Sequence, residues 1–188
     1  MKKTLLATIA IIAFLTGCST LPSSGTEYSN NDQKSNEYGY LLCNYEYLEN
    51  PIGMRTFGVI IKPHNNTEYS TLCVNLPKKD GVQSIMYRMI PGNYIFEKVV
   101  YNNYTYKNVF KDFVVEPGKI YYLDNLRIIK VEETSMSSTT YVPSIVDAIA
   151  AAKNKWDFEF INEINKVQEL VNSKYPTLNT LKIVRVLE

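Results

Sequence analysis

Hydrophobic and polar positions divide the chain into four stretches with different periods. Thr4 to Leu15 is almost unbroken apolar sequence behind Lys2 and Lys3, whereas Ser19 to Glu37 (STLPSSGTEYSNNDQKSNE) carries very few apolar residues. A segment that cannot bury apolar surface cannot offset its ordering entropy, so residues 18–37 are expected to form a disordered tether, with an edge strand inside it as the alternative. From residue 38 to about 131 the apolar residues return in short runs bounded by turn residues. Tyr38 to Tyr45 alternates loosely, Phe57 to Ile61 is a β-branched run stopped by Pro63, and Leu72, Val74 and Leu76 share one face of a strand ending at Pro77. Further strands are predicted at Ser84 to Ile90, Tyr94 to Tyr101, Val109 to Val115 and Ile120 to Leu123. Pro91-Gly92 and Pro117-Gly118 precede two of these, and a type II turn places Pro at its second position and a positive-φ Gly at its third. No helical period fits this region, and short strands with regular turn signals predict an antiparallel sandwich.

The last stretch has a different period. After the polar residues 132–140, Ser144 stands where an N-cap would, with Asp147 three residues on. Trp156, Phe160, Ile164, Val167 and Val171 then recur at intervals of four and three, the stripe of an amphipathic helix expected over about 144–174 and stopped before Pro176. Leu181 to Val186 reads as a final strand joining at an edge. Strands followed by a helix give an α+β class: a mainly antiparallel β-sandwich over 38–131, with residues 132–188 supplying a loop, one long C-terminal helix and an edge strand packed on it.

The N-terminal apolar segment is too short to span a bilayer, which needs roughly 20 apolar residues. Two lysines before a short apolar core match a secretory signal. Leu15-Thr16-Gly17-Cys18 resembles the lipobox of bacterial lipoproteins, small residues before a cysteine that takes the lipid. The resemblance implies cleavage after residue 17, a diacylglycerol thioether on Cys18 and usually a further acyl chain, enough together to hold a protein on its membrane. Ser19 after the cysteine fits the enterobacterial pattern for the outer membrane.

A second resemblance rests on Ile90-Pro91-Gly92-Asn93-Tyr94 together with Phe113 to Leu123, which contains Val115-Glu116-Pro117-Gly118-Lys119-Ile120-Tyr121-Tyr122-Leu123. This pairing resembles small bacterial lipoprotein domains of unknown function with prealbumin-like or Ig-like β-sandwiches. It covers about a quarter of the chain, and its motifs concern turns and strands rather than chemistry.

Charge narrows the partners. The formal net charge is +1, and loss of residues 1–17 removes Lys2 and Lys3, leaving the chain within one charge of neutral. With no basic cluster larger than Lys78-Lys79, no nucleic-acid partner is expected. Once Cys18 is assigned to lipid, Cys43 and Cys73 remain as a pair that an oxidising compartment could bridge. Strand alternation argues the other way, because Cys43 shares a face with Leu41 and Tyr45 while Cys73 lies opposite Leu72 and Val74, and both the bridged and the free state stay open.

Catalytic patterns are missing from the sequence. His64 is the single histidine and sits in a polar turn, and neither HExxH nor GxSxG spacing occurs. Asp157, Glu159 and Glu163 could serve as an acid and base pair, but on an amphipathic helix they read as its wet face. No cofactor and no metal is expected. Fifteen tyrosines are the compositional excess. Tyr101, Tyr104 and Tyr106 crowd one hairpin and are the candidate ligand contacts. The expected function is a non-enzymatic, lipid-anchored module of the bacterial envelope that binds or assembles with a partner, the alternative being a glycan- or peptidoglycan-binding domain that uses surface tyrosines.

Overall fold

The computed structural model describes residues 23–29, 31–48, 57–64, 69–77, 79–101, 104–130 and 156–187, without the side chains of 101 and 104–106. The expected signal segment, Cys18 and residues 132–155 lie outside the described residues.

Two sheets form a sandwich. The first runs in the order β1 (Gly25–Glu27), β5 (Gln83–Met89), β2 (Gly39–Tyr47), β8 (Lys119–Lys130) and β10 (Lys182–Arg185), with β9 (Trp156–Ile161) also paired to β8. The second runs β4 (Leu72–Leu76), β3 (Phe57–Pro63), β6 (Gly92–Tyr101) and β7 (Tyr104–Val115). Leu41, Cys43, Tyr45, Met89, Leu123 and Ile128 from the first sheet meet Phe57, Val59, Ile61, Val74, Leu76, Phe96 and Val115 from the second in one buried cluster. The strand predictions over 38–131 are all matched by strands, and β8 extends well beyond Leu123.

Both Pro-Gly pairs lie where the chain crosses from one sheet to the other. Gly118 has φ +69, the positive value the predicted turn requires, and its amide donates 2.9 Å to the Tyr38 carbonyl. Gly92 instead begins β6 directly.

β2 is buried on both faces. Its odd-numbered side chains enter the sandwich, while Tyr40 and Leu42 form a second cluster with Met86, Ile120 and Tyr122 on the outer face of the first sheet. That face is covered by α1 (Ile164–Lys174), through Val167 and Val171, and by the 3-10 turn Pro176–Leu178. The molecule is therefore sheet on sheet, with a helix as a partial third layer.

The free tether and the long helix are corrected, and the open question of the Cys43–Cys73 bridge is answered. The described part of residues 18–37 is not a free tether: Gly25, Thr26 and Glu27 pair antiparallel with Met89, Arg88 and Tyr87, and Tyr28 is buried against Tyr40 with ring centroids 5.3 Å apart. An edge strand is stabilised largely by its main-chain bonds, so one tyrosine anchor suffices where apolar residues are few. Gly25 helps, because a Cβ there would stand 2.6 Å from Met89 Sδ.

The sandwich is mainly antiparallel, as expected, with two parallel pairings in the first sheet. β2 and β10 both run parallel to β8. The predicted edge strand does form, but as a parallel neighbour of residues 119–122.

The helix is shorter than its apolar stripe. Trp156 to Ile161 is a strand, antiparallel to β8 from Asn125 to Lys130. In Trp156-Asp157-Phe158-Glu159-Phe160 the apolar residues alternate with charged ones, and Phe158 buries in the sandwich against Phe57 at 5.2 Å. Period two prevails because β8 offers an open edge to pair with. The helix starts only at Ile164, whose amide donates 3.1 Å to Asn162 Oδ1, and ends as expected before Pro176.

Lastly, Cys43 and Cys73 are both free thiols. Cys43 is buried within the sandwich, whereas Cys73 is exposed on the second sheet, as the alternation required.

Candidate functional site

Among the described residues three cavities are candidates, and the state of their polar atoms separates them. One, of about 460 Å³, lies beside Tyr45, Lys79, Ser84, Lys174 and Tyr175. Its polar groups largely satisfy one another: Lys174 Nζ and the Tyr175 hydroxyl donate to the Ser84 carbonyl at 2.5 and 3.2 Å, and the Tyr45 hydroxyl donates to the Pro77 carbonyl at 2.9 Å. The second, of about 350 Å³, is lined by His64, Asn93, Tyr94, Asp112, Phe113 and Val114. Here His64 Nδ1 stands 3.2 Å from Asp112 Oδ1 in a solvated pair with no nucleophile in the lining.

The third cavity, about 630 Å³, opens between α1 and the outer face of the first sheet. Its floor is made by Asn44 on β2 and Asn125 on β8, which are directly opposite each other in the parallel pairing. Asn44 is 6% and Asn125 1% exposed. Asn125 Nδ2 donates 3.0 Å to Glu163 Oε2, but Oδ1 of both asparagines is buried without a hydrogen-bond partner. A buried acceptor left unpaired costs about 1–3 kcal/mol, so the two oxygens are a local cost in the wall between sheet and helix. Next to it, the buried Tyr122 hydroxyl lies close to the Asn44 side chain and the Glu163 backbone, both of which favour its ionised form against burial. Burial pushes the ionisation of that hydroxyl upward, with the charges of Asp124 and Glu163 adding to the effect, so it remains a neutral phenol.

A bulge in β8 builds this floor. Between Leu42↔Tyr122 and Asn44↔Asn125 the register shifts, with Asp124 in the left-handed region at φ +66. The extra residue puts Asn125 on the outer face with Tyr122 and returns Leu126 and Ile128 to the sandwich. Asp124 is itself 1% exposed and receives two bonds from Arg185 of β10, Nε at 2.8 Å and Nη2 at 2.7 Å. The fork fixes the bulge from the far side.

Charged residues form the rim in pairs. Lys166 Nζ stands 2.7 Å from Glu163 Oε1, and Arg127 Nε is 3.7 Å from Glu46 Oε2, within ion-pair range but beyond a hydrogen bond. The Lys166 bond, with the smaller contribution from Asn125, holds the Glu163 carboxyl below the usual carboxylate range against the opposing effect of burial. Val82 and Leu170 supply apolar surface. The rim thus carries three carboxylates, Glu46, Glu163 and Glu169, against two cations, Arg127 and Lys166. Among the described residues, no group of three or more His, Cys, Asp or Glu could hold a metal ion.

The residues singled out from sequence are scattered. Tyr101 and Tyr104 are opposite each other at the β6–β7 hairpin and Tyr106 follows in β7, but their side chains lie outside the described residues. Asp157 and Glu159 are exposed on β9, and of the three carboxylates only Glu163 reaches the pocket. Asn44 and Asn125 are not singled out by the sequence reading, though Asn44 is the one polar residue in Leu41-Leu42-Cys43-Asn44-Tyr45 and Asn125 follows Asp124 within the apolar stretch Tyr121 to Leu126. A polar side chain at a strand position buried on both faces is the signal that could have found them. Compared with protein-family models, curated proteins and solved structures, the chain matches none.

Proposed function

We propose that the protein is a lipid-anchored bacterial envelope lipoprotein whose folded domain is a non-enzymatic binding module taking a small polar ligand between α1 and the first sheet. Anchoring and location in the outer membrane are supported by the lipobox Leu15-Thr16-Gly17-Cys18 and by Ser19. Within this reading the sandwich is of prealbumin-like or Ig-like type, supported by the two Pro-Gly elements.

The observation that carries the binding reading is the cavity of about 630 Å³ between α1 and the first sheet, lined by Asn44 and Asn125 with charged side chains at its rim. That volume falls in the range of small-molecule sites. Glu163, held below the usual carboxylate range, stays ionised near neutrality and is not a general acid there.

Two measurements test the proposal. Cys18→Ser is expected to abolish incorporation of labelled palmitate and to release the chain from the membrane fraction, and an acylated or membrane-retained variant overturns the anchor. A thermal-shift panel of sugars, amino acids, short peptides, anions and cations is expected to contain at least one member that raises the Tm of the native chain and not that of Asn44→Leu. A panel with no such member overturns the pocket.

A further inference from the structure

The folded body begins very close to the expected lipid. Only Ser19 to Pro22 separate Cys18 from Ser23, so the chain between the two spans at most about 18 Å at full extension. From Ser23 onward the chain is built into the sandwich. Ser23 bridges to Ser70 ahead of β4, and Ser24 is fully buried with its carbonyl accepting 3.2 Å from the Ile90 amide. The chain therefore enters between the two sheets, at one end of the strands. Gly25 and Gly39 both stand opposite Met89, which puts the starts of β1 and β2 level with the Pro91-Gly92 crossing. The Pro117-Gly118 turn is at the same end, where the Gly118 amide meets the Tyr38 carbonyl, and so is His64, whose amide donates 2.7 Å to the Asn93 carbonyl. Leu48 follows the 9-residue strand β2 at the opposite end, about 30 Å away at the usual rise of a strand. The turn before β5 and the Tyr101–Tyr104 hairpin share that far end.

We infer that the end of the sandwich carrying Ser23, the two Pro-Gly crossings and His64 rests on the membrane that holds the Cys18 lipid, and that the Leu48 end points away from it. The inference rests on the anchor reading above and adds an orientation to it. A leash of about 18 Å is shorter than a sandwich of about 30 Å, so the Leu48 end can stand on the bilayer only if Ser23 rises beyond its reach. β1 runs along the strand direction, so the leash leaves from the end of the sandwich and not from a face. Charge is not what brings this end down, because Lys119 is bonded to Glu116 and His64 Nδ1 stands 3.2 Å from Asp112 Oδ1. Glu46 and Val82, in the wall of the cavity beside α1, lie toward the far end, so a ligand reaches that cavity from the side away from the membrane.

The test uses the acylated chain purified from bacterial membranes and reconstituted in vesicles of phosphatidylethanolamine and phosphatidylglycerol, with a nitroxide on some of the headgroups. A small fluorophore is attached to single cysteines in a Cys73→Ser background, Asn93→Cys at the near end and Leu48→Cys at the far end, while Cys43 stays buried and unlabelled. Nitroxides quench only near contact, so with the two sites about 30 Å apart quenching is expected to be at least about twofold stronger at the near one. Lys182→Cys, beside Lys119, and Asp80→Cys, in the turn before β5, repeat the comparison on other strands should either of the first pair not fold. Inserting about ten Gly and Ser residues between Leu21 and Pro22 adds up to about 30 Å of reach and is expected to remove most of the difference. Equal quenching at the two ends of the native-length chain, or stronger quenching at the far end, overturns the orientation and leaves the anchor standing. A difference that survives the insertion undiminished overturns the leash as its cause. A chain recovered without acyl groups, or absent from the vesicle fraction, overturns the anchor and the orientation together.

Discussion

Asp124 combines a left-handed backbone, near-complete burial and a negative charge, and each of these would be costly alone. Arg185 makes the combination tenable by meeting both carboxylate oxygens at once, with side-chain exposures of 22% for the arginine and 0% for the aspartate. Breaking such a pair from one side leaves a charge buried without compensation, which costs about 3–5 kcal/mol. Arg185→Met is expected to lose stability on that scale in urea denaturation, and adding Asp124→Asn should restore much of it. Full stability in the single variant would mean that the fork does not hold the bulge. The thiols give a second test at the same scale. Burial pushes the Cys43 thiol up to about 12, and Cys73 is exposed, so iodoacetamide at neutral pH should modify Cys73 in the native chain and reach Cys43 only after unfolding. The faces of these cysteines were legible in the sequence, because side-chain alternation fixes the face of a residue once its strand is known, although the absence of a bridge was not. The Asp124 bulge was not, since an inserted residue has no periodic signature and declares itself only through its partner strand.

At the scale of elements, the same contrast decides β9 and α1. The apolar spacing of Trp156, Phe160 and Ile164 fits a helix, yet Phe158 fits only a strand, and the open edge of β8 from Asn125 to Lys130 resolves the ambiguity. No local pattern could have announced that edge. Lys107 on β7 also reaches across to the Phe158 carbonyl, with its ammonium 5.4 Å from the centre of the Phe160 ring, so β9 ties the two sheets together at one side. The end of α1 was legible at Pro176 because its stop signal is chemical rather than contextual. Its start is held by Glu163, bonded to both Lys166 and Asn125. A carboxyl whose folded ionisation lies below the unfolded value of about 4.3 stabilises the fold fully above that value, and the contribution disappears as pH falls through the lowered folded one. Acidification through and below the ordinary carboxylate range should therefore loosen the docking of α1. Glu163→Gln is expected to flatten the acid limb of a Tm-against-pH curve and leave the limb near neutrality unchanged in slope. An acid limb identical to that of the native chain would place the stabilising charge elsewhere.

Across the whole molecule, the tyrosines act as joints between the layers. Tyr45 and Tyr47 bury their rings in the sandwich and donate to the carbonyls of Pro77 and Leu76 at 2.9 and 2.6 Å, while Tyr94 donates to Ile90 at 2.7 Å. On the outer face, Tyr28 and Tyr175 join the N-terminal segment to the helical layer with ring centroids 6.5 Å apart. A phenol suits this use because its ring fills the core and its hydroxyl ties down a backbone group that a phenylalanine would leave bare. The tyrosine excess is thus explained largely by packing, and composition could not distinguish a ring facing inward from one facing solvent. Burial raises Tyr87, Tyr94 and Tyr175 to about 12. An acid group whose folded ionisation is raised contributes its stability fully below the unfolded value, about 10 for tyrosine, and loses it as pH climbs toward the folded one. Several such groups in one core should make alkaline unfolding cooperative. Tyrosinate absorbance and near-ultraviolet circular dichroism followed together are expected to show a first fraction of phenols ionising near 10 with the fold intact. The remainder should ionise only as the fold is lost, between that value and about 12. Complete ionisation near 10 with an unchanged dichroism spectrum would mean that these rings are wet and that the joints between the layers lie in other residues.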